Sequence, residues 1–216
     1  MNNKDITAVI TSFRSANKIG ECVKSLGGEI NIIVIENSND KKLKIDLERK
    51  YSNLKCVLSE QNLGYAKGNN LGLSLVKTKY ALVLNPDTTL DKYAIDNFLS
   101  SANNKKDFWL LGPANAQKIN NHDNSNNLIE VNNLKGFAIF FNLEKFNKKY
   151  FDENYFLYFE EIDLCKKINQ KKGKIFIDPN ITIFHEGGGS VNAETSSELE
   201  KNRNWHWMWS TFYYHK

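Results

Sequence analysis

Cysteine is scarce in this chain of 216 residues: there are three, Cys22, Cys56 and Cys165. An odd number in apolar surroundings, at spacings that match neither a zinc site nor a redox pair, argues against a disulfide framework and is read as reduced core thiols. Long hydrophobic runs are missing too. No apolar stretch approaches the roughly 20 residues needed to cross a bilayer. The start, MNNKDITAVITSF, shows neither the basic nor the apolar region of a signal peptide, so the expected location is cytoplasmic. A strong excess of one charge is also absent, with 29 basic against 25 acidic residues and a net charge of +4. No dense Lys/Arg stripe interleaved with aromatics precedes the final segment, so nothing points to nucleic acid as a partner.

What is present is enough apolar material, 41% hydrophobic and 12% aromatic, to bury one sizeable core in one domain. Short runs rich in Ile and Val alternate with amphipathic stretches: ITAVITSF, ANKIGECVKSLGG, INIIVIEN, DKKLKIDLERKYS, LKCVLSE. This is the rhythm of a parallel sheet with crossover helices. Ile19, Cys22, Val23 and Leu26 fall at helical spacing, with Gly27-Gly28 as the stop. After NLGYAKGNN, the stretch LGLSLVKT predicts another helix, then YALVLNPD a strand and residues 91–102 a helix. In the second half, residues 118–127 predict a polar loop and KGFAIFFN a strand. FEEIDLCKKINQKKG predicts a helix with Phe159, Ile162, Cys165 and Ile168 on one stripe, closed by Gly173; KIFIDP then predicts a strand leading to TIFHEGGGS.

Ligands of open α/β sheets bind at the carboxyl ends of the strands. That rule brings Thr11 to Arg14, Glu36-Asn37, Asn62 to Asn70 and Asn85-Pro86-Asp87 to one edge. Each of these is also what an ordinary turn uses. Asp87 stands out because Pro86 fixes the backbone before it and no glycine follows. A carboxylate so placed suits a hard divalent cation, and such a cation commonly accompanies a phosphate. His185 also ends an apolar run, and the three glycines after Glu186 permit close backbone approach to a ligand; a surface or capping histidine is the alternative reading.

In this order, AVITSFRSANKIGECVKSL, IVIENSND, NLGYAKGNNLG, LVLNPDTTL, KGFAIFF, FDENYFLYFEEIDLCKKI and FHEGGGS resemble the motifs of the family-two inverting glycosyltransferases with the GT-A fold, nearest to their bacterial rhamnosyltransferase-like branch. The resemblance runs from Ile6 to Ser190. It implies an α/β, Rossmann-like single domain with a mostly parallel central sheet over residues 1–194, followed by an aromatic-rich helical segment, 195–216. It also implies transfer of a sugar from a nucleoside diphosphate donor, dTDP-rhamnose or a UDP-hexose, to a glycan or lipid-linked acceptor in cell-surface polysaccharide synthesis.

Carried onto this chain, the resemblance sets base and ribose against Thr11, Phe13 and Glu36, and places Asn62, Gly64 and Asn70 near the donor. Asn85 and Asp87 stand in its acidic motif, so Asp87 would join Mg²⁺ or Mn²⁺ to the pyrophosphate, with His185 as the later metal ligand. Glu160-Glu161 occupies its acidic pair, with Glu161 the candidate base. Such acids also suit a helix's first turn for its macrodipole alone. The pattern departs at Glu36 and Glu161, where Asp is usual, and at Lys167, which replaces Arg and loses its bidentate geometry.

The end of the chain, NRNWHWMWSTFYYHK, reads either as a helix meeting the inner face of the cell membrane or as one packing on the domain or a second copy in a homodimer. Two rival functions are a nucleotidyltransferase, which would be expected to show a glycine-rich phosphate loop that TSFRSANK lacks, and a noncatalytic sugar-nucleotide-binding module, which would need no acidic pair.

Overall fold

The computed structural model describes residues 5–114, 128–187 and 196–216, without the side chains of 196–199. The stretch expected as a polar loop (118–127), Gly188-Gly189 and the expected boundary at 194/195 lie outside the described residues. The first half alternates as expected: β1 (Ile6–Ser12), α1 (Ile19–Ser25), β2 (Asn31–Glu36), α2 (Lys41–Lys50), β3 (Leu54–Leu58), α3 (Gly64–Ser74) and β4 (Tyr80–Leu84). There follow β5 (Thr88–Leu90), α4 (Ala94–Asn104), β6 (Phe108–Ala114), β7 (Ile129–Glu130), β8 (Ala138–Asn142), α5 (Glu160–Gln170), β9 (Lys174–His185) and α6 (Ser196–His215).

The sheet order is β3-β2-β1-β4-β8-β6-β9-β5, with β7 on β9. Strands β3, β2, β1 and β4 are parallel; β8 inserts antiparallel, after which β6 and β9 resume the first direction. The chain steps outward from β1 to β3 and then returns to the other side of β1 as β4. That reversal opens a crevice at the carboxyl ends of β1 and β4, where Thr11 to Phe13 and Asn85 to Asp87 lie. Strands β1, β2 and β4 are buried along nearly their whole length, which accounts for their continuous apolar runs.

One face of the sheet is covered by α1, α2 and α4 around a stack of rings, including Phe98 on Phe140 at 4.9 Å. The other is covered by α3 and α5, whose Leu73, Leu164, Cys165 and Ile168 pack with Val9, Val83 and Phe141. The stripe of α5 is therefore shifted from the one expected: Glu160, Leu164, Cys165 and Ile168 are its buried residues, while Phe159 and Ile162 are half-buried. All three cysteines are buried and unpaired. Desolvation pushes the thiols up to about 11 for Cys22, 12 for Cys56 and 11 for Cys165.

Helix α3 corrects a second expectation. The pattern predicts a helix only after NLGYAKGNN, yet the helix begins at Gly64. Weak local propensity is overridden by packing, because Gly64, Gly68 and Gly72, four residues apart, share the helix face that meets the rest of the domain. A Cβ at Gly72 would lie 2.4 Å from Val9 Cγ1, one at Gly68 2.7 Å from Thr11 Cγ2, and one at Gly64 2.4 Å from the carbonyl oxygen of Phe156. Gly64 also has φ +74°, a left-handed conformation costly for other residues. Replacing Gly72 with Ala should force α3 off β1 and destabilise the fold by about 1–3 kcal/mol, read as a lower denaturant midpoint; an unchanged midpoint would show that the sheet yields.

Candidate active site

Strand β9 is what closes the site. Its twelve residues run from the core to the crevice, and its last three pair antiparallel with β5, setting His185 opposite Thr88. The turn into β5 is fixed by Asn85 N donating to the Phe137 carbonyl at 2.9 Å and Thr88 Oγ1 donating to the Asn85 carbonyl at 2.7 Å. Asp87 and His185, about 100 residues apart, thereby meet at 3.2 Å between Oδ1 and Nε2. The same Nε2 lies 3.3 Å from Asn85 Nδ2, and Phe137 stacks on the imidazole at 4.8 Å. Protonated, Nε2 donates to Asp87; deprotonated, it can accept from Asn85.

Burial raises the Asp87 carboxyl, but the hydrogen bond and charge of His185, with backbone N–H groups of Asp87 and Gly187, outweigh it and hold the carboxyl below its usual range. Among the described residues no group of three or more His, Cys, Asp or Glu is disposed to hold a metal ion. One carboxylate and one imidazole fit a divalent cation only if most of its ligands come from elsewhere; Asp87 and His185 would hold such an ion where a bound phosphate and water supply the rest.

His185 and Asn85 line a cavity of about 590 Å³ together with Glu160, Glu161, Tyr65 and Lys135. The acids are carried by an uncommon turn. Tyr158 and Phe159 both have left-handed backbones, φ +72° and +69°, at a cost of about 1–2 kcal/mol each. Helix α6 holds that turn: Trp207 packs on both rings, Tyr214 on Phe159, and Ser210 Oγ donates to the Leu157 carbonyl at 2.8 Å. The turn delivers Glu160 and Glu161 at the N-terminus of α5, facing the cavity rather than solvent.

Glu160 is 5% exposed and its Oε2 has no protein hydrogen-bond partner. Desolvation first, and then the neighbouring Glu161 charge, raise its carboxyl above the ordinary range. Glu161 is raised as well by desolvation, opposed by its own N–H, that of Ile162 and the Lys135 charge. Gly136 lies beside Glu161: a Cβ there would sit 3.4 Å from the carboxyl carbon, in ordinary contact. Asp163 is set apart from the pair: Lys167 holds it at 2.7 Å and reaches Asp152 at 3.1 Å, so the lysine standing where Arg was expected forms a structural bridge.

The other expected residues divide. Thr11 and Phe13 lie at the crevice, Thr11 Oγ1 donating to Asn69 Oδ1 at 2.8 Å and Phe13 carrying the Arg14 guanidinium at 5.2 Å. Asn62 Oδ1 accepts the Gly64 N–H at 3.0 Å and starts α3. Glu36 is fully buried, its oxygens accepting the N–H groups of Ser38 and Asp40, so it shapes the loop. Asn70 is not brought to the crevice; its amide exchanges two hydrogen bonds with Phe151 beside a separate cavity. Sequence reasoning assigned no role to Tyr65, whose hydroxyl donates to the Gly136 carbonyl and whose phenol is pushed far up by burial and by Glu160 and Glu161. Its one signal was an aromatic ring inside the Gly/Asn segment.

Comparison with known proteins places this geometry in context. In S. aureus TarS 1–349 in complex with UDP-GlcNAc, the same fold recurs with a TM-score of 0.65 at 19% identity, over 88% of this chain and 61% of that one. GalNAc-T7 with UDP, GalNAc and Mn²⁺ superposes with a TM-score of 0.71 at 13% identity, over 87% of this chain and 45% of that one. The fold is thus the GT-A-like α/β architecture with a mixed but largely parallel sheet. Residues 7–165 match the family described as Glycosyl transferase family 2, and the chain belongs to that family.

Among relatives, the low-salt glycan biosynthesis hexosyltransferase Agl10 of Haloferax volcanii is 22% identical over 194 residues, 77% of this chain and 62% of that protein. The teichoic acid poly(glycerol phosphate) polymerase of Staphylococcus epidermidis is 27% identical over 107 residues, 46% of this chain and 15% of that protein.

The acidic pair has a thermodynamic signature. A carboxyl raised in the folded state binds its proton more tightly there than in the unfolded chain. Stability therefore falls as pH climbs from the unfolded value, about 4.3, through the folded one. Glu160→Gln removes that loss and should raise the melting temperature at pH 8 by about 2–4 °C or more while changing little at pH 4. An equal shift at both pH values would mean that Glu160 is not held protonated by its surroundings.

Proposed function

We propose that this protein is a metal-assisted inverting glycosyltransferase, moving a sugar from a nucleoside diphosphate donor to a glycan or lipid-linked acceptor of the cell surface. One observation carries the reading: the acidic pair lines the same cavity as Asn85 and His185, and His185 is in contact with Asp87. Breaking the sugar–phosphate bond leaves a diphosphate whose growing charge needs an opposing cation, and Asp87 and His185 are the residues to hold Mg²⁺ or Mn²⁺ there. Thr11 and Phe13 border the place for the nucleoside, at the β1–β4 crevice.

Inversion requires a base on the far side of the anomeric carbon to take the acceptor hydroxyl's proton. Glu161 is assigned that task, being raised toward neutrality yet less buried than Glu160. Glu160 beside it is the more deeply buried and is raised partly by the Glu161 charge, so the negative charge of the pair rests on Glu161. Resemblance favours dTDP-rhamnose or a UDP-hexose as donor, and the relative described as a hexosyltransferase favours a hexose. A panel of sugar nucleotides scored for nucleoside diphosphate release decides between them, and also against a nucleotidyltransferase or a mere binding module. In the active donor's assay, Glu161→Gln should lower turnover by roughly 10²-fold or more with donor binding nearly intact. Asp87→Asn should abolish the extra thermal stabilisation that nucleoside diphosphate gains from Mn²⁺ over EDTA. Normal turnover in Glu161→Gln would remove it as the base.

For α6 we propose contact with the inner face of the cell membrane, with the protein otherwise cytoplasmic. No helix among the described residues is long and apolar enough to cross a membrane. His206, Ser210 and Tyr213 face the domain, whereas Trp205, Met208, Trp209 and Phe212 are 44–65% exposed on the opposite side. Lys201 and Lys216 fall on the same side of the helix, at its two ends, as an anionic lipid surface favours. Replacing Trp205, Trp209 and Phe212 with Ala should release the protein from sedimenting anionic liposomes while leaving its melting temperature nearly unchanged. Undiminished sedimentation, or a dimer that dissociates instead, would assign the face to something other than lipid.

A further inference from the structure

Helices α3 and α5 both run from the catalytic cavity to a second one on the same side of the sheet. The first cavity takes Tyr65 from α3 and Glu160-Glu161 from α5; the second, of about 440 Å³, takes Asn70 from α3 and Leu164, Lys167 and Ile168 from α5. At 1.5 Å per residue, Ile168 lies about 10 Å along the helix from Glu161. The second cavity is lined by the rings of Trp109, Phe146 and Tyr150, set at angles to one another. Phe146 meets Trp109 edge-on at 5.1 Å and Tyr150 at 5.5 Å, with the Lys171 ammonium 5.9 Å from the Trp109 ring.

Charge in the cavity is lopsided. Four lysines, Lys148, Lys149, Lys167 and Lys171, line it against two acids, Asp152 and Glu153. Lys167 is engaged by Asp152 and Asp163, and Glu153 accepts from Asn70 at 3.1 Å. Among the described residues, Lys148 and Lys149 have no acidic partner within ion-pair distance. Aromatic walls suit the C–H faces of sugar rings, and unpaired ammonium groups suit phosphate or carboxylate.

We propose that this second cavity is a binding site for an anionic saccharide chain, holding the body of the acceptor while its end reaches Glu161. The proposal deepens the transferase reading and rests on it for the word acceptor; the site itself is tested by binding alone. Lys148 and Lys149 attract the chain's negative groups, Trp109 and Tyr150 take its rings, and Asn70 fixes the Phe151 segment that forms the cavity floor.

The probes are oligogalacturonate (ring plus carboxylate), inorganic polyphosphate (charge alone) and dextran oligomers of matched length (ring alone), titrated calorimetrically into the whole chain at 50 and 300 mM salt. Oligogalacturonate should bind tightest and weaken with salt, and dextran should bind at least tenfold more weakly. The paired substitutions Lys148→Glu and Lys149→Glu, on exposed positions, should weaken oligogalacturonate at least tenfold. Trp109→Phe should weaken it severalfold without changing polyphosphate binding. Nucleoside diphosphate binding with Mn²⁺ should be unchanged in all of these variants. Equal binding of dextran, undiminished oligogalacturonate binding after the lysine changes, or no binding by any probe would each overturn the site. Failure of the transferase reading would appear separately, as no diphosphate release from any sugar nucleotide.

Discussion

The structure depends on how closely α3 can approach the sheet. Side chains normally keep a helix and a strand about 10 Å apart, and here Gly68 and Gly72 remove that spacer above β1, while Gly64 lets the start of the helix approach Phe156. As a result Thr11 reaches Asn69, Asn37 Nδ2 donates to the Gly64 carbonyl at 3.1 Å, and Tyr65 N–H donates to the Phe156 carbonyl at 2.8 Å. The last contact ties α3 to the segment entering α5. The sheet edge, the β1–β4 crevice and the acidic pair are thus mutually positioned through one helix, and a change in its depth would be felt at the cavity.

Electrostatically the cavity is divided. Beside the cavity, the Asp87 carboxylate is stabilised in its charged form by the His185 imidazole; lining it, Glu160 and Glu161 are pushed toward their neutral form by burial, and Glu160 by the Glu161 charge as well. Two environments give one type of functional group opposite proton affinities. The strain at Tyr158 and Phe159 is the local cost of this division, because an ordinary helix start would leave both acids in water, where their values would return to normal.

Much of this was legible in the sequence. The strand-helix alternation, Asp87 and His185 each at the end of an apolar run, and the acids of FEEIDL were all visible from residue type and spacing. That Asp87 and His185 touch was not, because the three-residue strand joining them has no periodicity of its own and exists only by pairing with β9. Glu36 was placed correctly at the sheet edge but its direction was hidden: an acid there can face a ligand or bond to its own loop, and the loop's N–H groups decide. Asn70 and the start of α3 were misjudged for one reason, since glycine and asparagine signal loops locally while their spacing of four signals packing. The split of α6 into a domain face and an open face needed the position of the Tyr155–Phe159 segment, which no helical period contains.

The three cysteines have a practical consequence. Each is buried, and none has a thiol near the range in which alkylating reagents find thiolate at neutral pH. A cysteine introduced on the surface, for instance on the open face of α6 or beside Lys148, would be the fast-reacting thiol of the folded chain. Fluorophores or spin labels could then be attached at chosen sites without first rebuilding the core around three replacements.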